Sequence, residues 1–328
     1  VPLNERPLVV VLGASGFIGS AITRQLARQP LRLRLIARGP TPLPHNPTAH
    51  IETIRADLTQ SDTLTRCVTD ADAIVHLVAH LDTGTSWRAT HSDNTAERVN
   101  VGLTLGLIHA LSAHPRPGPP PQVLFAGTTT QVGPTTRTHL DGTEPDHPHS
   151  TYDRHKLTAE NALKDATTQG IIRATTLRLP TVYGPAPDPT TGDRGVISTM
   201  IRRALNGQPL TMWHDGTVLR DLVYVDDIAH AFTTALNHPD SLAGHHWLIG
   251  TGHGTPLREA FTHIARITAH TTGQPPVPVT SVPPPTESET TDFHSMVIDP
   301  TPFRRITGWR PRTTLTEGLR RTVTALTG

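Results

Sequence analysis

A chain of 328 residues, 35% hydrophobic and 17% charged, can bury one large core, or a nucleotide-binding core with a smaller domain docked on it. Its 29 basic and 28 acidic residues nearly cancel, which argues against nucleic acid or an anionic membrane surface as partner and for a small molecule. Cys67 is the only cysteine, so an intrachain disulfide, a cysteine-built zinc site and a thiol relay are excluded, and no metal is expected.

Val1 to Pro7 lacks the charged-then-apolar order of a signal peptide, and no stretch approaches the roughly 20 apolar residues of a bilayer span, so a cytoplasmic protein is expected. Leu8 to Leu12 is a short apolar run ending in glycine, followed by a helical pattern with Ile18, Ile22 and Leu26 on one face. Further strands are predicted at Leu31 to Ala37, Ala73 to Leu77, Val123 to Ala126 and Ala174 to Leu179, with helices around Asp62 to Thr69, Arg98 to Ala113 and Tyr152 to Thr168. This alternation predicts an α/β fold with a doubly wound parallel sheet. A Pro- and Gly-rich passage from Pro180 to Gly195 opens a second region, beginning with a helix at Val196 to Asn206. The apolar runs at Leu222 to Val225 and His246 to Ile249 suggest a return to the first domain. The division expected is therefore 1–180 with a return segment at 222–250, and a smaller substrate domain from 181–221 and 251–328.

Gly13, Gly16 and Gly19 form GASGFIG between the first strand and its helix. Glycine there allows the tight turn and close approach of a pyrophosphate, with the helix N-terminal N–H groups facing the anion. After the second strand, LIARG presents Arg38 where an NAD site offers a carboxylate. A guanidinium suits a 2′-phosphate, so NADP(H) is expected; the competing reading of Arg38 is a solvated surface arginine. Asp57 and Leu58 in RADLT are placed at the adenine end, although Asp57 also suits a helix start.

Tyr152 and Lys156 in TYDRHK lie four apart at the start of a predicted helix, on one face. An ammonium near the phenol is expected to lower its pKa from about 10 and ease proton transfer near neutrality. With only three tyrosines and two lysines in the chain, a chance pairing at this spacing is rare. Upstream, GTTTQVG puts hydroxyls at the C-terminal edge of the sheet, where ligands of such folds bind.

The glycine turn, VHLVAH, Asn100, the hydroxyl cluster and Tyr152-x-x-x-Lys156 together resemble the extended short-chain dehydrogenase/reductase family, a nucleotide-sugar-modifying group. The resemblance continues through LRLPTVYGP, VLRDLVYVDDIA and GWRP, covering nearly the whole chain. It implies a Rossmann-type sheet with a smaller C-terminal substrate-binding domain. Thr128, Tyr152 and Lys156 would be catalytic, with Lys156 also holding the nicotinamide ribose. Gly13, Ser15, Gly16, Phe17, Ile18, Leu77, Ala79 and Pro180 would border the cofactor. Thr128, Thr129, Tyr152, Thr181, Val196 and Arg220 would meet the substrate, Arg220 through its phosphates; a salt bridge to Asp221 is the alternative for Arg220. The role of Asn100 stays open, and the family implies a homodimer.

Two departures narrow the reaction. The family's 4,6-dehydratases carry Asp-Glu after the catalytic threonine, where Thr129 and Thr130 stand here. Its bifunctional epimerase-reductases use a cysteine beside the catalytic serine, and Cys67 is far from this cluster in sequence. FAGTTTQVG, the RGV of Arg194 to Val196 and ESETTDFHSMVIDP look most like dTDP-4-keto-6-deoxyhexose 4-ketoreductases of deoxysugar pathways. NADPH-dependent reduction of the C4 ketone is the main expectation. The alternatives are an NAD-dependent nucleotide-sugar 4-epimerase and a noncatalytic NADP-sensing protein.

Overall fold

The computed structural model describes residues 5–60, 62–80, 94–187, 195–284 and 293–327. Arg194 and the start of the ESETTDFHSMVIDP run lie outside them. In chain order the first elements are β1 (Leu8–Leu12), α1 (Phe17–Leu26), β2 (Arg32–Ala37), β3 (His50–Arg55), α2 (Thr63–Val68) and β4 (Ala73–His76). Then come α3 (Asn94–Glu97), a π-helical turn at Arg98–Gly102, α4 (Leu103–Ala113), β5 (Gln122–Thr128), β6 (His139–Leu140), α5 (Thr151–Thr168) and β7 (Arg173–Leu179). The rest comprises β8 (Thr181–Tyr183), α6 (Val196–Leu205), β9 (Leu210–Trp213), β10 (Leu219–Tyr224), α7 (Val225–Ala235), α8 (Pro239–Leu242), β11 (His246–Leu248) and β12 (Gly254–Pro256). It ends with α9 (Leu257–Thr272), β13 (Val279–Val282), β14 (Val297–Ile298), α10 (Thr301–Thr307) and α11 (Leu315–Thr327).

Seven strands form one parallel sheet in the order β11-β7-β5-β4-β1-β2-β3. This is the Rossmann-type doubly wound fold, and its strand order reverses between β1 and β4, where such sheets open a ligand crevice. Both faces are covered, which explains the unbroken apolar run of β1. Val9 and Val11 join a cluster with Ile22 and Leu26 of α1 and Ile228 and Phe232 of α7. Leu8, Val10 and Leu12 join the opposite cluster with Leu64, Leu107 and Leu163.

α7 lies against α1, where Gln25 Nε2 donates to Asp226 O at 2.7 Å and Thr233 donates to Gln25 Oε1 at 3.2 Å. β11 pairs with β7 at the sheet edge, whereas β10 pairs with β8 and β12 in a separate three-stranded sheet. The smaller C-terminal part packs α9 against α6 and α11, beside the β9–β13 pair. Among the described residues no helix is long and apolar enough to cross a membrane.

Within the seven-stranded sheet, β3 is the strand that sequence periodicity does not reveal. It is the outer edge of the sheet and carries exposed His50, Glu52, Thr53 and Arg55, with only Ile51 on one face and Ile54 on the other reaching the core. Charge on an edge strand also discourages pairing with another chain.

Candidate active site

The glycine turn stands at the C-terminal end of β1, beside the reversal point. Gly13 has φ +90°, and a Cβ there would approach Val78 N at 3.3 Å, so the turn lies against the chain leaving β4. A Cβ on Gly19 would stand 2.1 Å from Gly13 O, so only glycine lets α1 begin this close to the strand. Gly16 is exposed and caps α1 with no side-chain hydrogen bond. The helix N-terminus therefore faces open space with its partial positive charge, which fits a pyrophosphate. Ser15 is half-buried, and Phe17 and Ile18 pack against the core under the turn.

Leu77, Val78, Ala79 and His80 follow β4 as a half-buried segment. Buried Asn100 holds it: Asn100 Oδ1 accepts the His80 N–H at 2.7 Å and its Nδ2 donates to His80 O at 3.1 Å. The side chain whose role the sequence leaves open thus fixes the strand end next to the glycine turn. At the end of β2, Arg38 is exposed, and Asp57 opposite it is exposed too. The Thr59 N–H and hydroxyl hold the Asp57 carboxyl below its usual range, and the charges of Arg38 and Arg98 add to this. Leu58 is buried in the core.

The second group of residues lies where β5 ends and α5 begins. Thr128 is the last residue of β5, and Gln131 makes a reciprocal cap with it: Thr128 N–H donates to Gln131 Oε1 at 2.9 Å. Thr128 Oγ1 stands 2.8 Å from Thr130 Oγ1, whose hydroxyl donates to Asp153 Oδ1 at 2.5 Å. Thr129 is buried and its hydroxyl reaches Leu179 O at 3.3 Å, tying the ends of β5 and β7 beside half-buried Pro180 and Thr181.

Ser150 caps α5, which places half-buried Tyr152 and buried Lys156 on its first two turns. Lys156 Nζ donates to Ala126 O at 2.8 Å, 4.5 Å from the Phe125 ring and 5.6 Å from the Tyr152 ring. Burial depresses the Lys156 ammonium to about 8. The Tyr152 phenol is pushed up, by burial first and by Asp153 second, the reverse of the lowering that spacing alone predicts. Proximity to a lysine is insufficient when the ammonium points to a backbone carbonyl and a carboxylate follows in the chain.

Under this edge lies a buried network that sequence reasoning misses. Glu160 receives Gln131 Nε2 at 3.0 Å, Arg178 Nη2 at 2.8 Å and Lys164 Nζ at 2.6 Å, while Arg178 also grips Asp146 with two bonds of 2.7 Å. Burial alone would raise the Glu160 carboxyl; hydrogen bonds from His246 and Arg178, with the Arg178 and Lys164 charges, outweigh it and lower it. The legible signal is Ser150-x-x-Asp153 ahead of a helical stretch, an N-terminal capping pattern that flags Asp153. For Glu160 the local signal is only the i,i+4 spacing to Lys164, which reads equally as a solvated helix pair.

In the smaller part, Arg220 on β10 donates to Leu219 O and His294 O. Asp221 is turned away from it and buried, receiving the N–H groups of Thr251, Gly252 and Ile298. Near Arg220's partner, Phe293 packs on Trp213 and His214 at 5.9 and 5.1 Å between ring centres, aromatic residues the motif reading passes over. Val196 is exposed at the start of α6.

Residues 9–250 match the NAD dependent epimerase/dehydratase family. The chain belongs to that family. It is 28% identical over 330 residues to the UDP-glucose 4-epimerase of Mycolicibacterium smegmatis, across 96% of each chain. It is 26% identical over 351 residues to the dTDP-L-rhamnose 4-epimerase of Burkholderia thailandensis, covering 95% of this chain and 92% of that one. The UDP-glucose 4-epimerase of Thermus thermophilus, solved with NAD, is similar at 27% identity with a TM-score of 0.79, covering 98% of this chain and 99% of that chain.

These likenesses correct two expectations. The expectation of NADPH-dependent reduction of a dTDP-4-keto-6-deoxyhexose is overturned, because the similar proteins named above are nucleotide-sugar 4-epimerases. The missing Asp-Glu pair and distant Cys67 remove dehydration and cysteine-dependent epimerisation; a 4-epimerase that oxidises and re-reduces one carbon needs neither. The expectation of NADP(H) also falls, because similar proteins at 27% identity are solved with NAD. At the end of β2, Arg38 is solvent-exposed with the Asp57 carboxylate in its field, an environment that a solvated surface arginine accounts for without a 2′-phosphate.

Proposed function

We propose that this chain is an NAD-dependent nucleotide-sugar 4-epimerase acting on a UDP- or dTDP-linked hexose. The observation that carries the reading is the hydroxyl, phenol and ammonium group of Thr128, Tyr152 and Lys156 at the β5–α5 edge, in a chain similar over nearly its whole length to 4-epimerases. NAD, when bound, supplies a hydride acceptor that gives the hydride back within the same turnover. Tyr152, as the phenolate, takes the proton of the sugar C4 hydroxyl as that carbon is oxidised, and, as the phenol, returns it when the opposite face is reduced. Thr128 hydrogen-bonds the same oxygen, and Lys156 carries positive charge where the phenolate forms. Arg220 receives the diphosphate, which a planar guanidinium suits. Gly13, Ser15 and Gly16 cradle the pyrophosphate, and Leu77, Ala79 and Pro180 border the nicotinamide end. The return segment 222–250 is assigned with 1–180; the α1–α7 contact and the β7–β11 pairing support this for 225–248, whereas Leu222 to Tyr224 pair with β8 in the three-stranded sheet.

The test incubates purified protein with NAD and UDP-glucose, and separately with dTDP-L-rhamnose, following the sugar by proton NMR and the nicotinamide by absorbance. The C4 epimer should accumulate to equilibrium with no net change in reduced nicotinamide. Stoichiometric consumption of reduced cofactor by a keto-sugar, with no epimer formed from any nucleotide sugar, would overturn the reading.

A further inference from the structure

Gln131 is fully buried in the short turn that follows β5, yet the proposed proton transfer gives it no task. A primary amide donates from one end and accepts at the other, so its neighbours decide which way it faces. On one side lies Glu160, which takes Arg178 Nε at 3.0 Å, Arg178 Nη2 at 2.8 Å and Lys164 Nζ at 2.6 Å. Burial opposes a charge there, but the hydrogen bonds of His246 and Arg178 and the charges of Arg178 and Lys164 prevail, so Glu160 accepts and has no proton to give. Gln131 Nε2 therefore faces Glu160, at 3.0 Å, and Oε1 faces the other way, where the Thr128 N–H donates to it at 2.9 Å. Turned round, the amide would set its oxygen against the carboxylate and its NH2 against the Thr128 N–H, losing both bonds at once. A Cβ on Gly127 would stand 3.0 Å from Gln131 Oε1 and 2.7 Å from Thr176 Cγ2, so the bare residue before Thr128 leaves room for the amide beside the strand.

We propose that Gln131, oriented by Glu160, is a positioning residue that holds the backbone of Thr128 and with it the hydroxyl that meets the sugar C4 oxygen. The proposal rests on the 4-epimerase reading and deepens it. Thr128 is the last residue of β5, so its hydroxyl stands on a strand end, and Gln131 pins that end from below. The bond from this hydroxyl matters most as negative charge develops on the C4 oxygen, and a shift of a fraction of an ångström weakens it. Loss of the pin therefore falls on kcat more than on KM. The buried charges of Glu160, Arg178 and Lys164 acquire a task in turnover: they orient an amide, and the amide places a hydroxyl.

Two variants test it. Gln131→Met keeps the length of the side chain and removes both bonds. Gln131→Glu copies the amide only while its carboxyl is protonated, when the O–H donates to Glu160 and the carbonyl accepts the Thr128 N–H; once ionised it faces a second carboxylate, which raises its pKa. In cofactor-free protein labelled at threonine nitrogen, the Thr128 amide should exchange with solvent at least about tenfold faster in Gln131→Met than in the wild type. In turnover of the nucleotide sugar, measured where every variant is folded, Gln131→Met should lower kcat about tenfold, with KM and the Kd for NAD changed less than about threefold. The kcat of Gln131→Glu, as a ratio to the wild type at each pH, should approach one at low pH and fall toward that of Gln131→Met as pH rises. Unchanged kcat or unchanged Thr128 exchange in Gln131→Met, or a Gln131→Glu ratio that does not vary with pH, would overturn the proposal. Should Gln131→Met not fold, the pH dependence of Gln131→Glu decides alone. A wild type that interconverts no sugar would reject the epimerase reading, while the Thr128 exchange measurement would still decide whether Gln131 holds Thr128.

Discussion

The β5–α5 edge and the end of β2 both face the ligand crevice of one sheet, and they differ in how their charges are held. At the first, Lys156, Asp153 and Glu160 are buried and each has fixed partners: Ala126 O, the Thr130 and Ser150 hydroxyls, and the Arg178–Lys164 pair. At the second, Arg38 and Asp57 are exposed, and the Asp57 carboxyl is held by Thr59 with Arg38 acting only through its charge. A buried charge is tolerated only with specific partners, so few roles explain it; an exposed arginine is compatible with many. The contrast teaches why Tyr152-x-x-x-Lys156 reads clearly in the sequence, while Arg38 points to the wrong cofactor.

The comparison breaks first at Tyr152. Tyr152→Phe should lower kcat for epimerisation by about 10²–10⁴-fold while NAD still binds, measured by turnover beside cofactor titration. Wild-type turnover would remove the reacting role of this edge. Glu160→Gln should cost about 3 kcal/mol of stability, read from denaturant unfolding, because it leaves Arg178 and Lys164 short of a partner in a buried site. A neutral result would mean that the network is as solvent-screened as the β2 end.

A pH measurement sharpens the same point. Lys156 titrates at about 8 in the folded protein against an ordinary 10.5, so between those values the unfolded chain binds more protons and stability rises with pH. The cofactor-free protein should show this rise in Tm across that window relative to Lys156→Met. Equal slopes would mean that the ammonium is hydrated. The smallest effect belongs to the other edge, where Arg38→Ala should change the Kd for NAD by less than about threefold. A loss of a hundredfold would give Arg38 the dedicated role denied to it here.

What the sequence made legible follows burial and periodicity. β1 and its glycine turn could be read because both faces of the strand are covered and Gly19 has no room for a side chain. β3 could not, since His50, Glu52 and Arg55 interrupt its pattern at an edge. The i,i+4 spacing of Tyr152 and Lys156 told which helix face they share but not the direction of the ammonium, which the position of Ala126 O decides. Glu160 pairs with Lys164 at the local i,i+4 spacing, but its other partners come from 131, 178 and 246, separations at which no local pattern survives. Hydroxyl chains such as Thr128–Thr130–Asp153 depend on rotamers that composition does not encode.

The return of the chain to its sheet has a consequence for synthesis. When residues up to Leu179 have left the ribosome, α1 still lacks Ile228 and Phe232 of α7, and β7 lacks its neighbour β11. The nascent protein thus carries an apolar helix face and an open parallel edge until His246–Leu248 emerges. Such surfaces bind chaperones or one another. A fragment ended at Pro180 should therefore aggregate, as light scattering of the truncated chain beside the full one would show.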